Sequence, residues 1–116
     1  MRTDVPVQIS AAHLRLSDAD MNDAVGGALS PRGACDAAFD SGYFALLSVL
    51  TSDERAAFEH PSDEVVVLAS SRLGLDATQG VELVRLRHSS NDWPGLAEVL
   101  AWARGPRAKA HELEGE

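Results

Sequence analysis

Between residues 26 and 31 the chain ends one helix and begins another. Gly26-Gly27 supplies a left-handed C-terminal residue at little steric cost. Three residues on, the Ser30 hydroxyl can accept first-turn amides, and Pro31 suits the first helical position. Ser62-Asp63-Glu64 and Asp76 repeat the start signal, and Gly74 repeats the stop. A chain punctuated this way is built from helices. With 5% aromatic residues, little Thr and no Asn-Gly hairpin dipeptide, it offers no competing sheet pattern.

Periodicity places a first helix over about 8–25, with Ile9, Ala12, Leu16, Ala19 and Asp23 on one side. A second runs from 31 to about 50, with Ala34, Ala37, Ala38, Tyr43, Leu46, Leu47, Val49 and Leu50 on a broad apolar face. Gly42 lies inside it, where a small residue would allow close helix approach. Residues 51–61 read as a connector holding a short helix at 53–59. Val65-Val66-Val67-Leu68 alone could be a strand; its flanking caps favour a helix over 63–73. A helix over about 77–90 carries Val81 and Val84 on one arc, Leu83 and Leu86 on another, with Arg85 between. Trp93-Pro94-Gly95 reads as a turn. A last helix covers about 96–103, or continues to 113 with an interruption near Gly105-Pro106, and residues 105–116 read as a frayed tail. The expectation is an all-α, up-and-down bundle of four to five helices in one domain over 1–116.

Length and composition agree with that reading. The 116 residues, 45% hydrophobic and 24% charged, suit one core. The longest apolar runs, Tyr43–Leu47 and Val65–Ala69, fall far short of the ~20 residues a membrane span needs. Residues 1–10 carry no secretory h-region, so a cytoplasmic protein is expected. Cys35 is the only cysteine, which excludes an internal disulfide and the common zinc patterns. Formal charge is −8, which argues against non-specific DNA binding. Residues 1–64 hold eleven acids and four bases; residues 65–116 hold seven and six, so an anion is better placed in the second half.

Few constellations carry chemistry. His13, His60, His88 and His111 lie in four segments without metal-ligand spacing, so neither metal nor other cofactor is expected. Cys35 reads as a small buried hydrophobe. Asp36 and Asp40, one turn apart, are either a working carboxylate pair or solvent-facing acids favoured by the helix dipole; the second is the simpler reading. Arg85, His88 and Asp92, spaced i, i+3 and i+7, share one helical face, with Arg87 beside them. A cation, an imidazole and a carboxylate on one face can bind phosphate and move a proton. They are also ordinary C-terminal capping chemistry.

Two stretches carry a resemblance. Leu29-Ser30-Pro31-Arg32-Gly33 precedes Asp36-Ala37-Ala38-Phe39-Asp40-Ser41. Gly74-Leu75 then precedes Arg85-Leu86-Arg87-His88-Ser89, ending at Asp92-Trp93. In this order they resemble the HEPN family (higher eukaryotes and prokaryotes nucleotide-binding domain), over roughly residues 14–104. The resemblance implies a helical bundle, commonly a homodimer with the 77–90 helices near its interface. Many members are metal-independent ribonucleases with an Arg-x4-6-His motif on that helix. Some are toxins neutralised by a partner nucleotidyltransferase; others lack the motif and serve as binding or assembly domains. Here His88-Ser89 replaces the family's Arg-Asn, and Asp92-Trp93 stands where its His belongs. The resemblance therefore implies an accessory or binding domain with a degenerate nuclease site. Its candidate residues are Arg85, Arg87, His88 and Asp92, and its partners a cognate nucleotidyltransferase or antitoxin protein, RNA or a nucleotide. The alternatives are an active ribonuclease and an acidic helical adaptor or chaperone that presents an apolar groove.

Overall fold

The computed structural model describes residues 8–58, 61–89 and 93–115. The described residues form six helices: α1 (Ala11–Val25), α2 (Pro31–Leu47), α3 (Ser52–Ala57), α4 (Asp63–Leu73), α5 (Thr78–Ser89) and α6 (Leu96–Glu114). Five are long and α3 is short, so the fold is the expected all-helical bundle. The Val65–Leu68 run lies inside α4.

The caps fall where the sequence puts them. Ser30 Oγ accepts the Gly33 amide at 3.0 Å, with Pro31 at the first position. One cap is not anticipated: Thr51 and Glu54 form a reciprocal capping box that starts α3 at Ser52 rather than 53. Ser62 caps α4, Gly74 ends it at φ +70°, and Asp76 accepts the Thr78 amide at 2.7 Å before α5.

Helix α2 is the centre of the bundle, flanked by α1 and α6 and touched by α4. Eleven of its seventeen residues are buried, so it is apolar on nearly every side, as a central helix must be. It ends at Leu47 rather than near 50. Val49 and Leu50 still enter the core, but the backbone turns, and arginines take the freed carbonyls. Arg55 donates to Leu47 O and Leu50 O, and Arg72 to Val49 O. Arg72 also grips both Glu54 oxygens, which holds the Glu54 carboxyl down to about 2.

Two expectations need correction. The inner face of α1 is Leu14, Ser17, Met21 and Ala24; Leu16, Ala12 and Ala19 are exposed. The reason is close packing. Ser17 Oγ donates to Ser41 O at 2.6 Å, and Ser41 Oγ donates to Ser17 O at 2.7 Å. These buried serines satisfy one another where α1 and α2 meet. The second correction concerns residues 105–116. Helix α6 runs unbroken through Gly105 and Pro106 to Glu114. An interior proline costs a helix about 3 kcal/mol, and tertiary contacts offset that here. Pro106 and Ala110 are buried. Arg107 donates to Asp18 Oδ1 at 2.7 Å, and His111 Nε2 lies 2.8 Å from the same oxygen. Burial raises the Asp18 carboxyl, yet these two partners outweigh it and leave it below its ordinary value. No helix among the described residues is long and apolar enough to cross a membrane.

Candidate functional site

The residues singled out on α5 find partners on different elements. Arg85 is exposed and lies 4.0 Å from Glu82 of its own helix. His88, also exposed, places Nε2 at 2.7 Å from Pro61 O, just before α4. Arg87 is half-buried and acts on Asp40 of α2, where its charge opposes the rise of that carboxyl. Its Nε is buried with no hydrogen-bond partner among the described residues. Asp92 and His60 lie outside the described residues.

Asp36 and Asp40 do not stand in solvent on the outer face of α2; both are half-buried. Trp93 causes part of this. It packs on Phe39, ring centroids 5.5 Å apart, and its Nε1 donates to Asp36 Oδ1 at 2.8 Å. The expected turn residue is therefore an anchor that ties the start of α6 to α2. Burial, with Asp36 nearby, raises the Asp40 carboxyl.

Asp20 of α1 completes a carboxylate cluster that the sequence reading missed. Burial first, then the charges of Asp40 and Asp23, push its carboxyl up to about 6. Its discoverable signal was the i, i+3, i+7, i+10 spacing of Leu14, Ser17, Met21 and Ala24, which rotates α1 and brings Asp20 toward α2. A carboxyl in this range exchanges protons near neutral pH. No group of three or more His, Cys, Asp or Glu among the described residues is disposed to hold a metal ion.

Asp20 also makes stability depend on pH in a stated direction. A carboxyl whose pKa is higher in the folded than in the unfolded chain binds its proton more tightly when folded. Its presence destabilises the fold above about pH 6, and the penalty disappears as pH falls toward 4. Asp20→Asn is expected to raise unfolding free energy at pH 8 by on the order of 1 kcal/mol after solvent screening. Urea unfolding at pH 8 and pH 4.5 checks this. A gain of equal size at both values would remove ionisation of the buried carboxyl as its cause.

Beside this cluster lies an apolar cavity of about 710 Å³. It is open to the surface and flanked by the end of α1, the start of α2 and the start of α6. Ala34 and Cys35 line it from α2, Leu96 and Leu100 from α6, and Trp93 from the segment between α5 and α6. Arg32 is the one charged side chain in its wall among the described residues. Burial, with Asp36 adjacent, pushes the Cys35 thiol up, which disfavours the thiolate a nucleophile needs. The arrangement suits binding of an apolar body more than covalent chemistry. No family model, curated protein or solved structure matches the chain.

Proposed function

We propose that the protein is a HEPN-like accessory or binding domain whose nuclease constellation is degenerate. The observation that carries this reading is the separation of partners on α5. Arg85 faces Glu82, Arg87 acts on Asp40, and His88 meets the Pro61 carbonyl. General acid–base cleavage of RNA needs a cation and an imidazole converging on one phosphate. A net charge of −8 also opposes a tight grip on an RNA backbone. A homodimer, and a cognate nucleotidyltransferase or antitoxin as partner, belong to the proposal through the resemblance alone.

One observation favours the active ribonuclease as a second reading. Arg85 and His88 are both exposed, three residues apart near the end of α5, and so can reach a bound phosphate. In that case an arginine would stabilise the phosphorane-like charge and His88 would shuttle the proton. The deciding experiment follows a labelled structured RNA in the presence of chelator. Sedimentation and circular dichroism first establish the folded state and the oligomer. We expect wild type, Arg87→Ala and His88→Ala all to stay at the background rate. Cleavage by wild type that either substitution abolishes would establish the metal-independent ribonuclease instead.

A further inference from the structure

Four large apolar side chains are exposed among the described residues, and two of them, Val25 (56%) and Leu29 (43%), line the 710 Å³ cavity. A concave apolar wall with few polar groups, in this range of volume, is how small-molecule sites are built. The charge of the wall is the second observation. The chain holds 18 acids against 10 bases, yet among the described residues the wall contains no acid and one arginine. Arg32 is exposed, and no carboxylate pairs with it among the described residues. It stands in the first turn of α2, whose positive end adds the same sign. Ser30 already takes the Gly33 and Ala34 amides, so the guanidinium is left as the anion contact. A single cation on an otherwise apolar wall matches one negative charge on a long apolar body. The planar guanidinium fork fits a carboxylate.

We propose that the cavity binds an amphipathic monocarboxylate. The aliphatic chain lies along Leu29, Cys35 and Leu100, and the carboxylate meets Arg32. The site shares none of the α5 residues, so its test and the RNA test fail independently.

The probe is decanoate, kept below its micellar concentration and titrated into the full chain. Trp93 lines the wall, so its emission reports occupancy, and a ligand that binds only the folded state raises the melting temperature. Decanoate is expected to bind at least about tenfold tighter than decylammonium, whose chain is equally long and whose charge is opposite. Arg32→Glu, at an exposed position, is expected to invert that order without unfolding the protein. Ala34→Leu, which enlarges a side chain in the wall, is expected to weaken both ligands. Unchanged decanoate affinity in Arg32→Glu overturns the proposal. Equal binding of decylammonium by wild type overturns it too, as does no response of the folded wild type to decanoate. If the ligand-free chain self-associates and Leu29→Asp dissociates it, a second copy covers the cavity and the proposal also falls.

Discussion

Replacing Phe39 by alanine is expected to cost about 3–5 kcal/mol of unfolding free energy, the range for truncating a buried aromatic side chain. Phe39 is 0% exposed. Its ring lies 5.7 Å from Tyr43, 5.5 Å from Trp93 and 5.6 Å from Trp102, centroid to centroid. It therefore joins α2 both to the segment that leads into α6 and to α6 itself. Truncation removes the apolar area and leaves a gap that neither tryptophan can fill without moving. A domain of this size holds only about 5–15 kcal/mol in total, so the variant sits near the edge of folding. Urea unfolding measures the loss, and red-shifted tryptophan emission reports the loosened rings. A loss below about 1.5 kcal/mol would show that the site collapses around the missing ring.

Gly42→Ala is expected to destabilise the protein by about 2–3 kcal/mol, although alanine is the better helix former by about 1 kcal/mol. A Cβ built at Gly42 would lie 2.4 Å from Trp102 Cζ3, 2.8 Å from Cη2 and 3.0 Å from the Ala103 Cα. The last of these is backbone, so α6 itself must shift. The other edge of Trp102 lies against Gly80 of α5, so closely that a Cβ there would come within 3.1 Å of its Nε1. Trp102 thus sits in a slot cut by two glycines from two helices. Gly105→Ala supplies the control. It lies within α6 with nothing beyond its chain neighbours near its missing Cβ; the gain in helix propensity there is opposed by crowding of the new Cβ against the Pro106 ring, so alanine should change stability by less than about 1 kcal/mol. Equilibrium unfolding of both variants checks the contrast in size. A stabilising Gly42→Ala would overturn the close approach of α2 to Trp102 and α6 as the reason for a glycine there.

The small residue at Gly42 was legible in the sequence as a site of close helix approach; the tryptophan that fills it was not. Phe39 was absent from the apolar face assigned to α2, because a helix buried on nearly every side has no single stripe to find. Helix α1 failed for the opposite reason. Its alanines and single serine give a weak stripe, and only the Ser17–Ser41 pair shows which way it turns. The candidate site was half visible. Asp36 and Asp40 stand out as carboxylates one turn apart, but Asp36 is held by Trp93, 57 residues away, and Asp40 by the charge of Arg87, 47 residues away. Asp20 joins them only when α1 lies against α2.

The sequence by itself determined the helices and most of their ends. Ser30-Pro31, the Ser62 cap and Gly74 act through hydrogen bonds and backbone angles within about four residues, so local residues suffice to specify them. Tertiary structure decided what the helices face and how far the last one runs. It carried α6 through Pro106, turned Asp20 and Asp40 toward one another, and opened an apolar cavity with Arg32 in its wall. Those outcomes depend on side chains distant in sequence. A helix's propensity is nearly indifferent to which of its faces is buried, whereas packing, desolvation and charge are set by the neighbour that buries it.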